Sequence, residues 1–260
     1  MKEKSQEIDR FLVDLLTRVG EDLRKDVTKH KQVDTKSGPN DLVTNFDKST
    51  EKMIVTTIKK QYPNATIVSE EGFGDDVKSM DGLVFFVDPI DGTMNFVKCH
   101  ESFASMIGVY LDGKPFVGAI IDVMQKKIFH GGPEIGVFQN GKKLSQPDDI
   151  ELKDGLVVIS GPMVLKNYLN TQEVVHKSSG LRVLGCAGVV FKHVMTGKEV
   201  LYMSYLRPWD LAAGRVLCET LGLKVVGVDG EPVNMLKSQV VIAGTQKVVS
   251  EVLQTVKNSN

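Results

Sequence analysis

The sequence is short of the residues that announce many common chemistries. Three cysteines, Cys99, Cys186 and Cys218, occur in 260 residues. They form no disulfide framework and no thiolate cluster, so buried reduced thiols are expected. Five histidines are present, none at a zinc-binding spacing. No apolar run approaches the roughly 18 residues a membrane span needs. Polar residues break every apolar run near the N-terminus, which argues against a signal peptide. A soluble, cytoplasmic protein is expected. An excess of either charge is also missing: 32 basic and 33 acidic side chains leave a formal net charge of -1. That balance offers no global positive field to attract nucleic acid. No complete GxxxxGK[ST] and no GxGxxG occurs, so there is no sign of an ATP cradle or a dinucleotide fingerprint.

What is present centres on Val84-Phe-Phe-Val-Asp88-Pro-Ile-Asp91-Gly-Thr93-Met-Asn-Phe96. Phe85 to Val87 read as a buried strand. Pro89 is expected to stop it, and Asp91-Gly92 to turn the chain. Two carboxylates thus leave a strand end three residues apart. At about 4 Å, two unit charges repel by roughly 4 kcal/mol at an effective dielectric of about 20. Hard divalent cations relieve such repulsion through oxygen ligands. An isolated Asp-Pro or Asp-Gly is usually a surface turn; both together behind an apolar strand favour a site.

The rest of the chain, 42% hydrophobic, suffices for one large core or two fused lobes. Apolar spacing predicts an amphipathic helix from about residue 5 to 30. Ser37-Gly38-Pro39-Asn40 signals a loop, and a second helix follows Asp47 and ends before Tyr62. For Asp47 alone, a helix cap is the plainer reading. A strand at 66–69 delivers Glu70 and Glu71, of which alternation would point only one into a site. Gly72 to Asp76 reads as a polar, mobile loop. Strands near 103–109, 115–121, 128–129 and 134–138 are predicted, with a hairpin turn at Asn140-Gly141. Beyond residue 150, strands and helices alternate more regularly, and Asp210 falls in the first turn of a helix. The expected class is α+β, a mixed layered fold. It divides into an N-terminal α+β lobe, 1–150, and a C-terminal α/β lobe, 151–260, with a cleft between them.

If Glu70, Asp88, Asp91 and Asp210 converge, they make an oxygen-rich cage for two or more small divalent ions, Mg2+ foremost. Such a cage suits phosphoryl transfer to water. The amides of Gly92 and Thr93 could hold phosphate oxygens, and Asp47 beside Thr93 could orient or deprotonate the water.

Four blocks carry a resemblance: Asp41-Leu-Val-Thr44 through Asp47, Glu70-Glu71, Asp88-Pro-Ile-Asp91-Gly-Thr93, and Trp209-Asp210-Leu-Ala-Ala-Gly214. In order and spacing the chain resembles the inositol monophosphatase family of Mg2+-dependent, lithium-sensitive sugar phosphatases. The resemblance implies a layered αβαβα sandwich, usually a homodimer. It implies Glu70, Asp88 and the Ile90 carbonyl as ligands of a first metal. Asp88, Asp91 and Asp210 would hold a second, and Glu70 with water a weaker third. Glu70 thereby counts among the catalytic groups with Asp47 and Thr93, the pair that positions the water. Gly92 and Thr93 would bind phosphate, and Lys36 would lie near the site.

The sugar side departs from that pattern. Relatives carry Gly-Ser/Thr-Ala-Ala where this chain has Gly185-Cys186-Ala187-Gly188. Met203 stands where inositol-specific relatives place an acid, and methionine is a poor hydrogen-bond acceptor. Core packing explains Met203 as readily as pocket lining does. Arg207 lies close enough to meet a second phosphate. The implied activity is an inositol-1-phosphate phosphatase of relaxed or altered specificity. Candidate substrates are a small phosphorylated sugar, a cyclitol, or a dinucleotide, so an NADP(H) phosphatase or fructose-1,6-bisphosphatase is the nearest alternative. A non-enzymatic partner of RNA or the transcription machinery is an alternative of another class.

Overall fold

The structure is a computed structural model that describes residues 1–36, 38 and 42–257. Ser37, Pro39, Asn40 and Asp41, which carry the predicted loop and the start of one motif block, lie outside the described residues.

Helix α1 spans Lys2–Asp26, and strands β1 (Val33–Thr35) and β2 (Leu42–Thr44) form an antiparallel pair. Helix α2 (Asn45–Gln61) leads to β3 (Thr66–Ser69), β4 (Leu83–Asp91) and a short α3 (Thr93–Lys98). Then come β5 (Ala104–Leu111), β6 (Lys114–Asp122), β7 (Lys127–Gly132), β8 (Gly136–Gln139) and β9 (Lys142–Lys143). Residues 144–151 contain no helix or strand. Beyond them lie β10 (Leu156–Ile159), α4 (Gly161–Leu165), α5 (Thr171–Lys177), β11 (Gly180–Arg182) and α6 (Ala187–Met195). The chain continues through β12 (Leu201–Leu206), α7 (Pro208–Thr220), β13 (Lys224–Gly227), β14 (Gln239–Gly244) and α8 (Gln246–Lys257).

Strands β3 to β9 form one sheet in sequence order; the other has the order β11-β10-β12-β14-β13. Three apolar clusters hold five layers together. Ile8, Leu12, Leu15 and Leu16 of α1, with Ile54 and Ile58 of α2, bury against Phe85, Val87 and Ile107 of the first sheet. Its other face, with Phe86 and Met106, meets Phe191 of α6, Leu217 of α7 and Tyr202 of the second sheet. The outer face of the second sheet, including Ile159, Leu201, Met203 and Ile242, packs under Val248 and Val252 of α8. The result is an αβαβα sandwich, and alternation along β4 and β12 sends successive side chains to different interfaces. Helix α7 lies close against β5: a Cβ on Gly108 would sit 2.6 Å from the Ala212 backbone. That approach fixes the helix whose first turn holds Asp210.

Several elements differ from expectation. Pro89 does not end β4, which continues to Asp91 through a bulge. A bulge tolerates the missing proline N–H. Helices α3 and α5 and the β1–β2 pair have too few residues to show periodicity. Asn140 and Gly141 both take positive φ, 48° and 78°, as the predicted turn requires. Among the described residues no helix is long and apolar enough to cross a membrane.

Candidate active site

Asp88 and Asp91 occupy the end of β4. Two residues separated by three positions face opposite ways on a regular strand. Here Asp88 pairs with Met106 and Asp91 with Ala104, so three steps on β4 oppose two on β5. The extra residue restores the parity. Both aspartates line one cavity of about 420 Å³. Glu70, Ile90, Gly92, Thr93, Cys186, Ala187 and Asp210 line it as well. Gly92 has φ 84°, and a Cβ there would come within 2.9 Å of the Cys186 Cβ. The turn therefore needs glycine both for its backbone and for the closeness of α6.

Each carboxylate except Asp88 is partly fastened. The Asp91 Oδ2 accepts from the Cys186 thiol at 2.9 Å and from the Gly188 N–H at 2.5 Å. Burial and the Asp91 charge push the Cys186 thiol pKa well up, keeping it a donor. The Asp210 Oδ2 accepts from the Arg207 N–H at 2.9 Å within the first turn of α7. The Glu70 Oε1 meets the Lys36 ammonium at 2.8 Å, and Lys36 also contacts Glu71. Both glutamates therefore reach the same cation; β3 ends at Ser69, so strand alternation does not extend to them. Asp88 Oδ1 is buried with no hydrogen-bond partner.

The electrostatics group these acids. Burial raises the Asp88 pKa, and Glu70, Asp91, Asp210 and Asp47 raise it further. Burial and Asp91 push Asp210 up to about 8 against relief from the Arg207 N–H. Glu71 rises to about 7, chiefly through burial, although Lys36 opposes it. Burial alone would lower the Lys36 pKa; the charges and hydrogen bonds of Glu70 and Glu71 outweigh it and raise it. Among the described residues no three acid, thiol or imidazole groups already surround one point as a finished coordination sphere. An all-oxygen donor set containing an orphaned buried oxygen fits a hard divalent ion.

Asp47 is fully buried one hydrogen bond behind the cavity. Its Oδ1 accepts from the Thr93 hydroxyl at 2.9 Å, and its Oδ2 accepts from the Thr44 N–H at 2.8 Å. It both completes the capping box of α2 and reaches the site, so the two readings of Asp47 describe one side chain. Arg207 stands at the edge, 3.6 Å from Glu70 Oε1 and 5.7 Å from the Trp209 ring centroid. Met203 is a correction: it is fully buried in the outer interface under α8 and lines no part of the cavity. Leu201 shares that interface, whereas Tyr202 and Ser204 line the cavity, with Tyr205, Val183 and Ser160 at its wall. Strand parity sends Met203 to the outer face and its neighbours Tyr202 and Ser204 to the cavity.

Sequence reasoning also missed Glu51. It is fully buried, and its carboxylate accepts from the Ser69 hydroxyl and the Glu71 and Phe73 N–H groups. Its signal was an acid in the stripe 47, 51, 54, 58, a row of buried helix positions. The loop after Glu71 is also less free than expected. Asp75 accepts from the Ile67 N–H at 2.8 Å and pairs with Lys59 at 2.7 Å.

The family model described as "Inositol monophosphatase family" matches residues 4–260. The chain belongs to the inositol monophosphatase family. It is 34% identical over 247 residues to the inositol-1-monophosphatase of Bacillus subtilis (strain 168), covering 93% of each chain. It is 32% identical over 231 residues to the Nus factor SuhB of Escherichia coli (strain K12), covering 86% of this chain and 85% of that protein. A solved structure of an IMPase/NADP phosphatase complexed with Mg2+ and phosphate superposes with a TM-score of 0.89 at 26% identity. That match covers 99% of this chain and 97% of the other. Like the family, the protein is a phosphoric monoester hydrolase, and solved relatives of this fold carry divalent metal.

Proposed function

We propose that the protein is a Mg2+-dependent inositol-1-phosphate phosphatase with a broader substrate range than inositol alone. The observation that carries this reading is the grouping of Glu70, Asp88, Asp91 and Asp210 at one cavity beside the Thr93–Asp47 pair. Two or three Mg2+ ions bound there supply Lewis-acid chemistry: they cancel phosphate charge and make bound water acidic. Glu70, Asp88, Asp91, Asp210 and the Ile90 carbonyl are the groups to hold them. Three of the four acids come from residues 1–150 and one from 151–260, the two lobes in this reading.

Thr93 donates its hydroxyl hydrogen bond to Asp47, which leaves its oxygen lone pairs free to accept from a water. Asp47 thereby fixes the direction from which that water can be held, and it is the base: Thr93 passes its hydroxyl proton to Asp47 as it takes one from the water. Gly92 and Thr93 both line the cavity, and their amides are the groups to hold phosphate oxygens. Cys186 and Gly188 hold Asp91, and the Arg207 N–H holds Asp210, so both ligands are oriented before substrate arrives.

Breadth of substrate follows from the cavity wall. Tyr202, Ser204, Tyr205 and Val183 stand there, and Tyr205 is 60% exposed. Among the described residues, no wall residue besides the proposed metal ligands is a carboxylate that could grip ring hydroxyls. An aromatic and apolar wall favours a nucleotide leaving group such as that of NADP(H) as a second reading. Comparing kcat/KM for inositol 1-phosphate, fructose 1,6-bisphosphate and NADP+ in Mg2+ tests both. Exclusive turnover of inositol 1-phosphate would refute the breadth. Absence of any Mg2+-dependent phosphate release would refute the enzyme and favour a SuhB-like partner role. A homodimer and a cytoplasmic location belong to the same proposal; light scattering on the purified chain tests the dimer.

A further inference from the structure

Glu51 is a charged side chain with no exposure in the buried stripe of α2. A buried carboxylate needs donors, and an apolar residue in its place would often serve stability as well. All three of its donors come from one segment. Oε1 accepts from the Ser69 hydroxyl at 2.7 Å and the Phe73 N–H at 2.9 Å. Oε2 accepts from the Glu71 N–H at 2.6 Å. These donors bracket Glu70 on both sides. Lys59, further along α2, supplies a second anchor: it grips Asp75 at 2.7 Å and the Ala65 carbonyl at 3.0 Å.

The same helix carries Asp47 one turn before Glu51. One rigid element thus holds the group that orients water and, through Glu51, the segment that presents Glu70. We propose that Glu51 is a positioning residue that sets divalent-metal affinity by fixing Glu70, without touching metal or substrate. This rests on the reading of Glu70 as a metal ligand.

Two variants test it. In Glu51→Gln the amide nitrogen cannot accept from a backbone N–H, so at least one of the three bonds is lost. Outer-shell partners of metal ligands are commonly worth about tenfold to a hundredfold in affinity. Titration calorimetry with Mg2+ alone should show weakening on that scale, and half-activation should need correspondingly more Mg2+. KM for inositol 1-phosphate at saturating Mg2+ should stay within about threefold, because the clamp acts on the metal ligand. Ser69→Ala removes one donor and leaves the two backbone bonds, so its shift should be smaller and in the same direction. Wild-type Mg2+ affinity in both folded variants would overturn the proposal, as would a change confined to substrate KM. If Glu51→Gln does not fold, Ser69→Ala decides, and unchanged Mg2+ binding there overturns it. A wild-type protein that binds Mg2+ yet hydrolyses no phosphomonoester defeats the functional reading alone; one that binds no Mg2+ defeats both.

Discussion

The Thr93 hydroxyl lies 2.9 Å from Asp47 Oδ1, between residues 46 positions apart in sequence. The contact joins the N-terminal turn of α2 to the turn that follows β4. If it orients the attacking water, Thr93→Ala and Asp47→Asn should each lower kcat by about 10²–10⁴-fold. KM should change little, and Thr93→Ser should recover much of the rate. Steady-state kinetics on folded variants checks this; kcat within a few-fold of wild type in both would refute the assignment.

Asp88 carries a buried oxygen with no partner and is crowded by three other acids at the cavity. Asp88→Asn removes one of the repelling charges. In chelator its melting temperature should rise by a few degrees, following a gain of about 1–2 kcal/mol. Mg2+ should no longer stabilise it normally, and activity should be lost. Thermal melts with and without Mg2+ read both effects, and a lower melting temperature in chelator would contradict the repulsion.

The raised acids also set a pH dependence. Burial and neighbouring acids push Asp210 up to about 8 and Glu71 up to about 7, above their unfolded values. Between the unfolded and folded pKa values the native state binds more protons, so stability falls as pH rises. Metal-free protein should therefore melt lower at pH 8.5 than at pH 6, and the stabilisation by Mg2+ should grow over the same window. A metal-free melting temperature that is flat or rising across it would count against this account.

Met203 and Tyr205 should separate cleanly. Met203 is fully buried under α8, so Met203→Ala should cost about 2–5 kcal/mol of stability. Its kcat/KM should remain near wild type for every substrate. Tyr205→Ala should leave stability within about 0.5 kcal/mol, as exposed positions do. It should change the ratio of kcat/KM between NADP+ and inositol 1-phosphate. Denaturant melts with the same substrate panel decide the matter; a specificity change in Met203→Ala without loss of stability would reverse the assignment.

The layered α+β class and the family were legible in the order of residues. Long helices such as α1 and runs such as Phe85 to Val87 are local patterns, readable because helix and strand periodicities repeat within a few residues. The four motif blocks were readable for the same reason, since each holds its acids within a short stretch. Which of those side chains meet is a property of the assembled sheets. Whether Asp88 and Asp91 share a cavity depends on a bulge set by pairing with β5, and whether Met203 lines it depends on which face of β12 meets α8. Glu51 stayed hidden because its three donors lie on a segment 18 to 22 residues away, and no local spacing encodes that contact.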